Sequence, residues 1–196
     1  MWPKQTLSLL SIILGVGLAC GLLQLDMNTF IYQRDLMTSE PWRWWTAHWV
    51  HVGWRHYALN MLAFLSLPFI FPQLQRQTLL LGLLVLPPLL SAGLYGLLPA
   101  VQAYAGLSGI LHGIFVVAAI ESLFIQRERK FAILVLVCIA LKISFEKWMG
   151  YSETAQLIQA PVLIESHQIG VLTGIIFILL KTVICYLKHK KSLTKL

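Results

Sequence analysis

Six apolar runs divide this chain: Leu7–Leu25, Tyr57–Phe71, Thr78–Leu98, Leu107–Ile125, Phe131–Phe145 and Val162–Leu187. They constrain the fold more than any other feature, because hydrocarbon offers backbone N–H and C=O groups no water, and a helix of about 20 residues satisfies them across a bilayer. The second and fifth runs are short for a crossing and span only if extended into their polar flanks. With 196 residues, 58% apolar content, 12% charged residues and a mean hydropathy of +0.74, the chain is too hydrophobic for a soluble domain. The expected fold is all-α, a polytopic membrane protein in which residues 1–196 form one domain. Its six transmembrane helices are expected at about 6–25, 55–72, 77–98, 107–126, 130–147 and 162–187.

The net charge of +7 is concentrated at the ends of these runs. Lys4, Arg76, the trio Arg127, Arg129 and Lys130, and the tail Lys188, Lys190, Lys191 and Lys195 all fall on one side of a six-crossing chain. By the positive-inside rule both termini and the second and fourth connections are cytoplasmic. No basic face with interleaved aromatics appears, so the expected surroundings are a lipid bilayer and no nucleic acid. Cys20, Cys138 and Cys185 each stand alone in an apolar run and read as small buried hydrophobes, with no disulfide framework or metal spacing. The first run could pass for a signal peptide, with Leu18-Ala19-Cys20-Gly21 as a lipoprotein cleavage site. It continues to Leu25, however, and its removal would unbalance the charges, so it reads as a retained helix.

Polar residues in and beside the runs mark candidate sites. The connection from Asp26 to His56 carries Trp42, Trp44, Trp45, Trp49 and Trp54 with Arg43 and Arg55, and such rings prefer the headgroup layer. His48 and His51 in it read most simply as solvated loop residues. His56 and Asn60, four apart on one helix face, either tie helices together or belong to a functional site. Pro87-Pro88 predicts a bend or interruption of the third helix.

Gly106-Leu107-Ser108-Gly109-Ile110-Leu111-His112-Gly113 places a hydroxyl at the head of the fourth helix. Unpaired N–H groups and a positive dipole there make an oxyanion site, although such small-residue stretches also serve helix packing alone. His167, Gly170 and Gly174 stand at i, i+3 and i+7, so the imidazole lies on a face open to close helix approach. The fourth and sixth helices run in the same direction, and packing Gly109/Gly113 against Gly170/Gly174 brings Ser108 and His167 within hydrogen-bond reach. Glu121 lies roughly 20 Å along the helix from Ser108. Glu165 points away from His167. No third carboxylate is evident.

In these residues the chain resembles the rhomboid intramembrane serine proteases. The match runs in order through Glu40-Pro41-Trp42-Arg43, His56-x-x-x-Asn60, Gly106-x-Ser108-Gly109 and His167-x-x-Gly170-x-x-x-Gly174. The resemblance implies a six-helix rhomboid-like bundle working through a dyad: Ser108 as nucleophile and His167 as general base, with Gly106, the Ser108 N–H, His56 and Asn60 around the oxyanion. Trp42, Arg43, Gly109, His112, Gly170 and Gly174 are then supporting residues, and no cofactor or metal is implied. Two positions depart from the pattern. His112 stands where a tyrosine commonly packs under the imidazole, so it supports the base or competes with it, and Ser166 replaces the usual alanine before His167.

The Gly-Leu-Ser-Gly-Ile-Leu-His-Gly run, the short length and Thr154-Ala155-x-Leu157-Ile158 within Gly150–Gly170 look like the rhombosortase branch. That implies a multi-pass enzyme of the bacterial inner membrane, active near the periplasmic side. Its partners would be single-pass membrane-anchored proteins with a C-terminal tail of Gly-Gly, an apolar helix and a basic end. The alternatives are a rhomboid protease of other transmembrane substrates and a non-catalytic rhomboid-like binder, against which Ser108, His167 and Asn60 together argue. A metal or haem protein is weaker still, lacking a His-Glu-x-x-His pair, a cysteine cluster and matched axial histidines.

Overall fold

The computed structural model of the protein describes residues 4–193, less the side chains of residues 189 and 191–193. Lys195 and the Lys191 side chain of the basic tail lie outside the described residues. The elements are α1 (Lys4–Leu23), α2 (Met27–Phe30), β1 (Tyr32–Gln33), α3 (Arg43–Thr46), α4 (Trp54–Ile70), α5 (Arg76–Leu97), β2 (Ala103–Tyr104), α6 (Ser108–Ser122), α7 (Arg129–Met149), α8 (Glu153–Ile158) and α9 (Ile164–Leu193). The architecture is all-α and multi-pass in kind, apart from β1 and β2, which pair antiparallel with Tyr32 opposite Tyr104.

Among the described residues, three helices are long and apolar enough to cross a membrane, Lys4–Phe30, Arg76–Leu97 and Ile164–Lys188, against the six expected. The others fall short for separate reasons. α4 has 17 residues and α6 has 15, while α7 carries Lys142, Glu146 and Lys147 in its second half. α6 tolerates its shortness because most of its residues, from Gly109 to Ser122, are buried against protein rather than lipid. α7 is the opposite case and buries only Ala132 and Glu146.

α6 and α9 meet backbone to backbone. A Cβ on Gly170 would lie 2.0 Å from the Gly109 carbonyl oxygen, and one on Gly174 would lie 2.6 Å from that of Gly113. No side chain fits at either place, which is why these positions carry glycine. The α6 and α9 N-termini therefore sit side by side at one end of the bundle. Towards the other end of α6, Glu121 pairs with Lys181 of α9 and accepts from Thr78 of α5, and so ties three helices together.

α5 is not interrupted at Pro87 and Pro88. A proline takes away the N–H that the carbonyl four residues earlier needs. Four before Pro88, the Leu84 carbonyl accepts from Trp45 Nε1 at 2.9 Å. The tryptophan-rich connection thus docks on the carbonyl that the proline frees, and the Ser91 hydroxyl adds a bond to the Trp44 carbonyl at 2.9 Å. Trp42, Trp45 and Trp54 keep exposed ring surface. Arg43, by contrast, is buried: it pairs with Glu40 at 2.6 Å and donates to the carbonyls of Asn28 and Ile31. Trp42 donates to the Thr29 carbonyl, so this pair of residues organises the connection. The cysteines also differ from expectation, since Cys20 is buried but Cys138 and Cys185 face outwards.

Candidate active site

The chain enters α6 through a turn that needs glycine. Gly106 has a φ of 144°, and a Cβ there would lie 2.7 Å from Cε1 of His56. Its N–H donates to the Ala47 carbonyl at 3.1 Å, and its carbonyl accepts from the Tyr104 hydroxyl at 2.8 Å. Gly106 thus adjoins Ser108 and the His56 ring without a free N–H to offer. Its N–H is committed to Ala47, and the residue instead lets backbone pass against the His56 ring. Ser108 then opens α6, where the first N–H groups have no carbonyl one turn back to bind them.

Across the glycine contact, Ser108 Oγ and His167 Nε2 stand 3.0 Å apart, although 59 positions separate them in sequence. His167 Nδ1 lies 2.8 Å from Glu146 Oε2. A carboxylate accepts, so Nδ1 carries the proton and Nε2 turns a lone pair towards the serine. The His112 ring stacks on the His167 ring, with centroids 4.3 Å apart and planes 20° apart. Its Nδ1 donates to the Ser108 carbonyl at 2.7 Å. Of the two roles open to His112, the geometry supports the first: it backs the imidazole and makes no claim on the serine hydroxyl.

On sequence alone Glu121 and Glu165 are the acids weighed, and Glu146 is missed. Ending the fifth apolar run at Phe145 leaves Glu146 in a polar flank, where a glutamate is ordinary. The available signal is the pair Lys142 and Glu146, four apart at the end of the fifth apolar run of a membrane protein, where an ionisable group is costly unless it has a use.

His56 and Asn60 are both nearly buried on one face of α4. Asn60 Nδ2 donates to the His56 carbonyl at 2.9 Å, which uses one amide hydrogen and leaves the second. With Ser108 and His167 they line a cavity of about 320 Å³ that reaches Ile139 and Lys142 of α7. A second hollow, of about 410 Å³, lies on another side of Ser108 between residues 103–105 and 161–163. Both are walled mainly by apolar side chains. The arrangement is chemically able to move a proton from an alcohol to an imidazole and to receive an apolar chain beside it.

His48 and His51 are fully buried, not solvated as expected. His48 Nε2 and Ser91 Oγ are 2.9 Å apart, a second serine–histidine contact. Because the Ser91 proton goes to the Trp44 carbonyl, the ring N–H must donate here, and His48 is no base towards that serine. Burial pushes both histidines down to about 3. An unfolded histidine takes up a proton near pH 6.5 and these two do not until about pH 3, so the unfolded state binds more protons in between. Stability is full above pH 6.5 and falls as the pH drops through that window. Thermal unfolding in detergent against pH should show this slope, and His51→Gln should make it shallower while His48 keeps its share.

Among the described residues, no group of three or more histidine, cysteine or acidic side chains is placed to hold a metal ion. No curated protein matches the chain. A family model described as Rhomboid domain matches residues 38–183, a span that contains all the residues of this site.

Proposed function

Because the chain belongs to the rhomboid family, we propose that it is an intramembrane serine endopeptidase with Ser108 as nucleophile and His167 as general base. Family membership supports the general protease role. The observation that carries the choice of residues is the 3.0 Å contact between Ser108 Oγ and His167 Nε2. His167 takes the hydroxyl proton as Oγ attacks a peptide carbonyl, then returns it to the leaving amine as the C–N bond breaks. The Ser108 N–H, the free amide hydrogen of Asn60 and the His56 ring lie around the developing oxyanion. Water activated by His167 then releases the acyl group.

The proposed substrates are single-pass proteins with a C-terminal tail of Gly-Gly, an apolar helix and a basic end, as the likeness to rhombosortases suggests. A helical substrate offers few free carbonyls, and glycine lowers the cost of unwinding at the cut. Two apolar hollows flanking Ser108 suit a chain that arrives as a helix and is held extended. The bundle end bearing Ser108 is assigned to the periplasmic side of a bacterial inner membrane, with both termini cytoplasmic, from the distribution of lysine and arginine.

Fluorophosphonate labelling of the purified protein tests the reading: the adduct should map to Ser108 and vanish in Ser108→Ala. An unlabelled wild-type protein would favour the non-catalytic binder. Co-expression with a Gly-Gly-tailed protein, and with the same protein carrying an unrelated membrane anchor, tests the narrower specificity. Equal cleavage of both would leave a general rhomboid protease.

A further inference from the structure

We infer that Glu146 is a positioning residue that acts through His167, so that Ser108, His167 and Glu146 form a triad in place of the dyad implied by the resemblance. The inference rests on the reading of Ser108 and His167 as the working pair. Glu146 and Ala132 are the only buried residues of α7, whose other side chains keep substantial exposure. A carboxylate so placed is costly in a membrane protein unless donors surround it. Three do. Oε2 accepts from His167 Nδ1 at 2.8 Å, while Oε1 accepts from the Ser152 hydroxyl at 2.7 Å and from Lys142 Nζ at 2.5 Å. Lys142 is one helical turn before the acid and Ser152 lies just beyond the helix end, so the carboxylate is held from both sides.

The other polar groups around the imidazole leave Nδ1 to this acid. His112 of α6 lies flat against the ring with its own Nδ1 given to the Ser108 carbonyl. His56 of α4 lines the same cavity without a hydrogen bond to the ring, and Lys142 can only donate. Glu146 therefore sets the tautomer that presents the Nε2 lone pair to Ser108 Oγ. As the bond from Oγ to the substrate carbon forms, the proton passes to Nε2, and the imidazolium is stabilised by a carboxylate that stays ionised throughout. As the C–N bond breaks, the same proton leaves Nε2 with the amine.

The test is Glu146→Gln in the full-length enzyme. The amide keeps the shape but offers an N–H to Nδ1, which favours the wrong tautomer. kcat should fall by roughly a hundred- to ten-thousand-fold with KM little changed, and fluorophosphonate labelling should slow in parallel. Glu146→Asp should recover part of the rate. A far-downfield Nδ1–H proton resonance should be present in the wild type and absent from Glu146→Gln and His167→Asn; a merely structural role for Glu146 would move none of these except through loss of fold. Should Glu146→Gln fail to fold, the wild-type resonance and the aspartate variant decide. Full activity in folded Glu146→Gln, or a wild-type spectrum without that resonance, overturns the inference. Wild-type cleavage that persists in Ser108→Ala instead overturns the reading beneath it.

Discussion

His167→Ala abolishes cleavage, with a loss of roughly a hundred-thousand-fold or more, because removing the base costs nearly as much as removing the nucleophile it activates. The fold should survive. α9 is held to α6 through the backbone contacts of Gly170 and Gly174, which the substitution leaves in place. Glu146 loses one donor but keeps Lys142 and Ser152. The thermal unfolding midpoint should therefore drop by a few degrees at most, while turnover and fluorophosphonate labelling disappear. His112→Ala is the matched control. It removes a stacked ring and the bond to the Ser108 carbonyl but leaves the 3.0 Å contact of Ser108 with His167. A loss of about tenfold is expected there, of the order of 1.4 kcal/mol in the barrier. If His112→Ala were dead and His167→Ala active, the base would have been assigned to the wrong ring.

Gly170→Val acts on the fold as well as on the chemistry. Extra methylenes in a packed core cost about 1–3 kcal/mol when neighbouring side chains can give way. Here the obstacle is the Gly109 carbonyl, 2.0 Å from the Cβ position, and backbone in a helix does not give way. The cost should exceed that range, and the two helices must separate. Thermal unfolding in detergent should show a large loss, and labelling at Ser108 should fail in whatever folded protein is recovered. Gly96→Ala is the contrasting case, since a Cβ there meets nothing within 4 Å. It should leave both measurements unchanged.

The parts of the site legible in the sequence are those governed by helical periodicity. The spacing of His167, Gly170 and Gly174 was enough to place an imidazole on a glycine face, and Gly109 and Gly113 supplied the complementary face. What periodicity does not contain is where a donor is spent. The Gly106 N–H goes to Ala47, a residue 59 positions earlier in a different element, and no local pattern announces that bond. His48 and His51 look solvated because they sit in a polar connection, yet that connection folds back on α5, with Trp45 donating to the Leu84 carbonyl and Ser91 to the Trp44 carbonyl, and buries both rings. Glu146 escaped because it stands just past the apolar run, in the polar end of the fifth expected helix, and no local spacing ties it to His167 on another helix. Hydropathy likewise marks six runs where three of the described helices are long and apolar enough to cross a membrane, and α6, sheathed by other helices, need not match the thickness of lipid.

The glycine seam between α6 and α9 also bears on when this molecule becomes active. Its two halves are made far apart in time, because α9 leaves the ribosome after α6 and the elements between them. Until α9 inserts, the serine hydroxyl lacks His167, and the Gly170 and Gly174 backbone is not yet packed on the Gly109 and Gly113 carbonyls. A nascent chain arrested before residue 164 should be chemically silent towards fluorophosphonates, because the contact between Ser108 and His167 is completed only when α9 packs on α6.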